Sequence, residues 1–337
     1  MLLVLMTFCL ISTQAIAQAG HSDQWLPALL KKESITIVVT DSGLGGLSVV
    51  ADAVEKFKQE NVFKEVKLVF FNALFRDEGG YNSLQPREQK LKVFSSALQS
   101  IEDRYDPDII LVACNTLSVL IPDTEFAATS TVPVVGIVKN GVDQIADQLR
   151  DKPGAKNIIF ATQTTVDEGT HKNMLLDLGF GDEQILSQSC PQLTLHIEQG
   201  YDSMYTEMLI DAYVDEALSQ MEETSGPLFV SFNCTHFGYS MEFWKLAFAS
   251  RGVDVEAFLN PNTNMIDFLL PESSRQRYET SAVTVKVVSM IDIPAESRDS
   301  IGRYLHKISP VTESALADFE LNPALFSWQQ LVSGPVK

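Results

Sequence analysis

The sequence has few basic residues, few histidines and few cysteines. Lys and Arg number 25 against 44 Asp and Glu, which gives a formal net charge of −19. Such a charge disfavours nucleic acids and anionic membranes as partners. The 5 histidines and 4 cysteines show no Cys-x-x-Cys or His-x-x-x-His spacing, so the sequence predicts no metal site.

The first segment of the chain is short of charge. The first Asp, Glu, Lys or Arg is Asp23, and most of the residues before it are apolar or small. The apolar run is too short for a transmembrane helix, which needs about 20 apolar residues. We therefore expect residues 1–19 to be a signal peptide cleaved near Ala17 or Ala19. The mature protein would then be periplasmic or secreted, without stable membrane insertion. A buried N-terminal element is the alternative, and it would leave the protein cytoplasmic.

Signal cleavage would remove Cys9 and leave Cys114, Cys190 and Cys234. Three cysteines in about 300 residues do not form the disulfide framework of a small secreted domain. An odd number in an oxidising compartment leaves at least one free thiol. The count therefore favours a thiol that is kept for chemistry.

Short apolar, β-branched runs alternate with amphipathic stretches along most of the chain. The runs predicted to be buried strands are 35–40, 66–71, 108–113, 132–138, 157–161 and 227–232. This alternation predicts an α/β fold in which helices cover parallel sheets. Ligands bind beyond the carboxyl ends of the strands in such folds, so functional residues are expected there.

Two of the predicted strands end alike. One leads into Cys114-Asn115-Thr116 and the other into Cys234-Thr235-His236. We therefore predict two pseudo-symmetric α/β lobes, each with a parallel sheet, that face each other across an active-site cleft. The predicted segments are lobe 1 (35–136 and 241–308), lobe 2 (137–240) and a C-terminal tail (309–337).

Paired thiols at equivalent strand ends suit the removal and return of an α-proton. One thiolate must act as the base and the other thiol as the acid, on opposite faces of one carbon. A helix N-terminus or a nearby imidazolium lowers the pKa of a thiol, and His236 lies two residues beyond Cys234. A single cysteine after a strand is explained equally well by packing, whereas two with polar neighbours favour catalysis.

A Gly-rich turn joins the first predicted strand to a helix. Its sequence is Asp41-Ser42-Gly43-Leu44-Gly45-Gly46. The glycines permit a tight turn and close approach of a ligand, and the helix N-terminus suits a carboxylate. Because the pattern is neither a dinucleotide fingerprint nor a phosphate loop, a nucleotide is disfavoured.

With these motifs the chain resembles the glutamate racemases of the aspartate/glutamate racemase superfamily. The shared motifs follow the family's order and lie at 41–49, 113–116, 132–136, 161–166, 190–198 and 234–236. The resemblance implies a cofactor-independent isomerase that interconverts the L- and D-forms of an acidic amino acid of the glutamate or aspartate type. Neither a metal nor pyridoxal phosphate is expected, and a homodimer is left open.

The resemblance also implies roles for single residues. Cys114 and Cys234 would be the catalytic acid/bases, assisted by Asp41, His236 and Glu198. The neutral donors expected to bind the amino-acid substrate are Ser42, Tyr81, Asn82, Asn115, Thr116, Thr162, Thr165 and Thr235. Such donors hold a carboxylate and stabilise a carbanion without a bulk positive field.

One region departs from the family pattern. Where the family has Gly-Asp-Thr and then Pro-Tyr-Gly, this chain has Asn72-Ala73-Leu74 and Gly80-Tyr81-Asn82, with an insertion at 77–80. The family's Gly before the second cysteine is Asn233 here. These changes leave the proton-transfer groups intact and put the substrate's identity in question. Elsewhere, His171 is expected to be solvated and Cys190 to pack.

Two other functions match part of the pattern. A decarboxylase or cis–trans isomerase of the same superfamily is one, although a decarboxylase needs only one cysteine. A periplasmic amino-acid-binding protein is the other, but it does not explain paired thiols. Export also conflicts with the supply of D-glutamate for the cell wall, which occurs in the cytoplasm. An oxidising compartment leads to the further hypothesis of a Cys114–Cys234 disulfide in the empty cleft.

Overall fold

The computed structural model describes residues 25–76, 80–221 and 226–332. The predicted signal peptide, residues 77–79 of the predicted insertion and the last five residues of the tail lie outside these ranges. The strands are β1 (Ser34–Asp41), β2 (Glu65–Asn72), β3 (Ile109–Val112), β4 (Val134–Gly136), β5 (Lys156–Ala161), β6 (Ile185–Ser189), β7 (Leu228–Asn233), β8 (Val255–Leu259), β9 (Ala282–Ser289) and β10 (Glu320–Leu321).

Helices follow most strands, as the sequence predicted. Those whose two ends are both described are α1 (Leu47–Glu60), α2 (Arg87–Tyr105), α3 (Asn115–Ser118), α4 (Glu125–Thr129), α5 (Val138–Asp151), α6 (Gln163–Glu168), α7 (Thr170–Asp177), α8 (Leu193–Gly200), α9 (Met204–Ser219), α10 (Met241–Ser250), α11 (Ala295–His306) and α12 (Pro310–Ala317). None of the helices in the described part of the chain has the length and apolar character that a membrane crossing requires.

The strands form two parallel sheets, which confirms the predicted fold class. The first sheet has six strands in the order β10-β9-β2-β1-β3-β4, and the second has four in the order β6-β5-β7-β8. Within each sheet every neighbouring pair runs parallel. The order β2-β1-β3-β4 is the same as β6-β5-β7-β8, so the two sheets share a topology. Cys114 follows β3 and Cys234 follows β7, and these two strands occupy the same position in the shared topology.

Sheet membership differs from the predicted segments at two places. Residues 241–308 were predicted to belong to lobe 1, but β8 lies within them and pairs with β7 in the second sheet. The reason is that β8 completes the four-strand topology of the second sheet. The predicted tail after 309 contains α12 and β10, and β10 extends the first sheet beside β9.

Apolar burial explains why the strands and helices meet as they do. β1 and β2 each bury the last five residues of the strand, and the apolar side of α1 is fully buried against the first sheet. Burial of one large aliphatic or aromatic side chain contributes about 1.5–3 kcal/mol. Both sheets therefore carry their strand ends, and the turns that follow them, on rigid and well-packed supports.

Candidate active site

The turns that follow β1, β3, β5 and β7 meet between the two sheets. Asp41 and Ser42 follow β1, Cys114 follows β3, Thr162 follows β5 and Cys234 follows β7. Hydrogen bonds cross from one sheet to the other at this place, as described below. The carboxyl ends of both parallel sheets thus form one site, as expected for folds of this class.

The Cys114 thiol contacts a hydroxyl group and lies near a carboxylate. Its Sγ is 3.1 Å from Ser42 Oγ. Burial and the negative charge of Asp41 raise its pKa well above the usual value, and hydrogen bonds from Ser42 and Leu117 do not offset this. The expected lowering of the thiol pKa by a helix N-terminus is therefore wrong for Cys114, because α3 is a single turn and the site is desolvated.

The Cys234 thiol has a different neighbour. Its Sγ lies 3.8 Å from His236 Nδ1, and the opposite ring nitrogen, Nε2, lies 2.7 Å from Glu198 Oε1. Burial disfavours the imidazolium, but the hydrogen bonds with Cys234 and Glu198 outweigh it and raise the pKa of His236 well above its usual value. The second half of the site is thus a buried thiol, imidazole and carboxylate in a row.

Glu198 also connects the two sheets. Its Oε1 accepts a hydrogen bond from the Leu44 backbone N–H at 2.8 Å. Leu44 belongs to the Gly-rich turn after β1, whereas Glu198 belongs to α8, which follows β6 of the other sheet. The carboxylate therefore holds His236 and fixes the position of the turn at once.

Asp41 interacts with the surroundings of both cysteines. Its Oδ2 accepts a hydrogen bond from Thr235 Oγ1 at 2.8 Å, and Thr235 is the residue after Cys234. Burial raises the pKa of Asp41 to about 6, against the opposing effects of His236 and the Thr235 hydrogen bond. Asp41 therefore contacts the turn of one cysteine, while its neighbour Ser42 contacts the other cysteine directly.

The Gly-rich turn requires glycine at positions 43 and 45, because side chains that follow strands of the other sheet occupy the space where a Cβ would lie. A Cβ on Gly45 would overlap Thr235 Oγ1 and lie 2.6 Å from His236 Nδ1, and one on Gly43 would lie 2.8 Å from Glu198 Oε1. The Tyr239 hydroxyl donates to the carbonyls of Leu44 and Gly45, at 2.9 and 3.2 Å. Close approach of the two halves, and not a phosphate ligand, explains these glycines.

Three threonine hydroxyls form a cluster across the site. Thr116 Oγ1 lies 2.8 Å from Thr162 Oγ1 and 3.3 Å from Thr165 Oγ1, and the last two atoms are 3.0 Å apart. Thr116 follows β3 of the first sheet, and the other two follow β5 of the second. All three were predicted as substrate donors, and the fold brings them together next to Cys114.

Tyr81 and Asn82, the predicted contacts in the divergent region, lie in a short 3-10 turn at Gly80–Ser83. Tyr81 is buried, its hydroxyl has no hydrogen-bond partner within the described residues, and the nearby Cys114 adds to the burial that raises its pKa. Asn82 Oδ1 accepts from Thr164 Oγ1 at 2.6 Å. Both residues border the site, and their contact with a substrate stays a prediction.

Lys90 is a buried cation that the sequence interpretation missed. It is only 6% exposed, its Nζ donates to Thr164 Oγ1 at 3.1 Å, and burial lowers its pKa. Thr164 in turn donates to Asn82. The signal was present in the sequence, because Lys90 lies four residues before Phe94 on the otherwise apolar stripe of α2.

Asn72 and Asn233 are the two asparagines at which the sequence departs from the pattern it resembles. Both polar atoms of the Asn72 amide have hydrogen-bond partners. Nδ2 donates to Ser289 Oγ at 3.1 Å, and Oδ1 accepts from Leu74 N at 3.0 Å. Asn72 is therefore a structural residue that links β2 to β9. Asn233 is fully buried before Cys234, and neither of its amide atoms has a partner among the described residues.

His171 is not solvated as expected, but 2% exposed, because α7 packs it against α5 and the turn after β3. Its Nε2 lies 3.1 Å from Asn115 Oδ1. Tyr239 was likewise missed. The sequence offered little signal for either residue, because their partners are more than 50 positions away in the chain.

The two cysteines of the site are buried and are not paired in a disulfide. Cys114 is 6% exposed and Cys234 5% exposed, and both are free thiols, as is the buried Cys190. Across the described ranges, no three His, Cys, Asp or Glu side chains are grouped to hold a metal ion. The structure brings together all the predicted site residues, while their catalytic roles and the disulfide stay predictions.

Comparisons with known proteins point to one group. The chain is 25% identical over 200 residues to the glutamate racemase of a Nitratiruptor species, a match that covers 59% of this chain and 70% of that protein. It is 23% identical over 287 residues to glutamate racemase 3 of Caldanaerobacter subterraneus subsp. tengcongensis, covering 78% and 97%. No protein-family model matches the chain.

A solved structure shares the fold. It is the glutamate racemase of Francisella tularensis subsp. tularensis in complex with D-glutamate, with a TM-score of 0.59 and 18% identity over 82% of this chain and 95% of that one. The two parallel-strand sheets described above match this architecture. Neither the binding protein nor the decarboxylase is favoured by these comparisons.

Proposed function

We infer that this chain is an amino-acid racemase of the aspartate/glutamate racemase superfamily, in which Cys114 and Cys234 interconvert the L- and D-forms of an acidic amino acid. The observation that carries the proposal is the position of Asp41 and Ser42. Ser42 contacts one thiol, and Asp41 contacts the residue that follows the other. Two adjacent residues therefore tie both cysteines to one site.

The arrangement supports proton transfer by two bases. The thiolate of one cysteine removes the α-proton, which leaves a carbanion, and the thiol of the other delivers a proton to the opposite face. Cys234 is suited to begin as the base, because a protonated His236 next to it stabilises a thiolate. Cys114 is suited to begin as the acid, because its raised pKa keeps it protonated. The reverse reaction exchanges these roles.

An acidic substrate is supported by the donors around the thiols. Among the described residues, the Asn115 amide nitrogen and the Tyr81 hydroxyl have no hydrogen-bond partner, and both residues lie near Cys114. The Lys90 ammonium donates to Thr164, which donates to Asn82. Such groups bind carboxylates and stabilise negative charge that develops on the reacting carbon. The Francisella protein was solved with D-glutamate, which is consistent with this class of substrate. Whether glutamate or aspartate is preferred depends on the divergent turn at Tyr81 and Asn82.

The proposed location is outside the cytoplasm. The apolar segment and its small-residue cleavage site support export to a periplasm-like compartment as a protein that is not anchored in the membrane. There the enzyme would act on free amino acids, and not on the cytoplasmic supply of D-glutamate for the cell wall. N-terminal sequencing of the mature protein tests this, and an N-terminus at Met1 would contradict it. A homodimer stays a prediction.

Proton exchange is the direct test of the activity. Each pure enantiomer of glutamate and aspartate is incubated with the protein in deuterated water, and the α-proton NMR signal and the optical rotation are followed. We expect both to disappear for at least one amino acid. Binding without exchange would contradict the proposal and would indicate a binding protein, whereas loss of carbon dioxide would indicate a decarboxylase.

A further inference from the structure

His171 and Asn115 form a buried polar pair at the edge of the site. Both side chains are 2% exposed, and His171 Nε2 lies 3.1 Å from Asn115 Oδ1. Asn115 is the residue after Cys114 in the first half of the molecule, whereas His171 lies on α7 of the second half. The contact therefore joins the two halves next to a proposed catalytic thiol.

The pair leaves the amide nitrogen of Asn115 without a partner. Nδ2 is buried and has no hydrogen bond among the described residues, and the same is true of His171 Nδ1. A buried donor without an acceptor is unfavourable and rare in folded proteins. Its position next to Cys114 and Thr116 indicates that a ligand supplies the missing acceptor. A carboxylate oxygen of an amino acid is such an acceptor.

The chemistry of the two groups fixes their orientation. Burial lowers the pKa of His171 to about 4, so the ring is neutral near pH 7 and carries one N–H. An amide oxygen can only accept a hydrogen bond, so that N–H must lie on Nε2. With Oδ1 held by this donor, the NH₂ group of Asn115 faces away from His171. Without the donor, the amide can rotate and present its oxygen to the carboxylate, which would be repulsive.

We propose that His171 is a positioning residue, which holds Oδ1 of Asn115 so that the Asn115 NH₂ group donates a hydrogen bond to a substrate carboxylate. The proposal rests on the proposed racemase function for the identity of that ligand. It assigns to His171 no contact with the substrate and no part in proton transfer. Its effect should therefore fall on substrate binding and should pass entirely through Asn115.

Kinetics of single and double variants test this. We expect His171→Leu to raise KM about tenfold, the effect of one neutral hydrogen bond, with kcat changed less than about threefold. His171→Gln, whose amide N–H can replace Nε2–H, should recover most of the affinity. In an Asn115→Ala background, His171→Leu should add nothing. His306→Leu is the matched control, because His306 is an exposed histidine on α11.

Two results would overturn the proposal. One is an equal loss in His171→Leu and His171→Gln, which would indicate packing. The other is a double variant whose increase in KM equals the product of the increases in His171→Leu and Asn115→Ala, which would indicate independent roles. Thermal melting of each variant separates a loss of affinity from a loss of folding.

A measurement without substrate separates this proposal from the function it rests on. In the full-length protein labelled with ¹⁵N-histidine, His171 should appear as the neutral Nε2–H tautomer and should not titrate between about pH 5.5 and 8. Asn115→Ala should shift its Nε2 resonance. An Nδ1–H tautomer would refute the pair even if the enzyme is active. Failure of the wild type to exchange any α-proton would instead refute the racemase function.

Discussion

The two cysteines occupy equivalent places in the two sheets and have unlike neighbours. Each follows the third strand of a set with the same topology. Cys114 contacts the Ser42 hydroxyl and lies in the field of the Asp41 carboxylate, whereas Cys234 contacts His236, which Glu198 holds. The backbone repeat places the thiols at equivalent strand ends, whereas the side chains around them differ, with a hydroxyl and a carboxylate near the first and an imidazole beside the second.

The largest effect is expected from removal of either thiol. Cys114→Ser and Cys234→Ser should each lower the rate of racemisation by about 10³-fold or more, because a serine hydroxyl is a far weaker acid than a thiol and does not ionise near neutral pH to act as the base. Each variant should still exchange the α-proton of one enantiomer, and the two should differ in which one. Chiral chromatography and deuterium incorporation measure both. Cys190→Ser is the matched control and should stay active; full racemase activity in either active-site variant would refute the two-base mechanism.

A smaller effect is expected from the neighbours of the thiols, and it should be unequal. His236→Asn removes the imidazole beside Cys234 and should lower kcat about 10²-fold. Ser42→Ala removes one neutral hydrogen bond to Cys114 and should lower it about tenfold. Initial rates in both directions, as a function of pH, test this. Equal losses in the two variants would show that the two halves are alike after all.

The buried, ionised carboxylate of Asp41 should lower the free energy of unfolding at neutral pH. Its pKa is raised to about 6 from 3.8, so the folded protein holds a proton that the unfolded chain releases, and stability falls as pH rises from about 4 to 6. Asp41→Asn removes the buried charge and keeps an acceptor for Thr235. It should therefore raise the free energy of unfolding at pH 7.5 by about 1–3 kcal/mol, with little change at pH 4.

Denaturant unfolding at the two pH values measures the difference. A loss of stability in Asp41→Asn at pH 7.5 would contradict the assignment of a buried, unfavourable carboxylate. Activity should fall in the same variant, because it loses the negative charge that acts on Cys114 and contacts Thr235.

The sequence predicted the architecture well because the signals for it are local. Each predicted strand was a short apolar run, and the cysteine motifs came directly after two of them. It did not predict the strands β6, β8, β9 and β10, because polar residues interrupt their short apolar runs. Nor did it predict the pairing of His171 with Asn115 or the burial of Lys90, because a polar residue's surroundings depend on distant segments. Asn72 was correctly seen as a departure, but its bond to Ser289 needed the fold.

A racemase must accept two mirror-image ligands in one cavity, and the hydroxyl cluster of Thr116, Thr162 and Thr165 offers a means to do so. A hydroxyl both donates and accepts, and its hydrogen can rotate without movement of the heavy atoms. The three oxygens, within 2.8–3.3 Å of one another, can therefore reverse the direction of their hydrogen bonds as the ligand's handedness changes. The heavy atoms of the site could then stay in place for both enantiomers, and only the hydroxyl hydrogens would need to reorient.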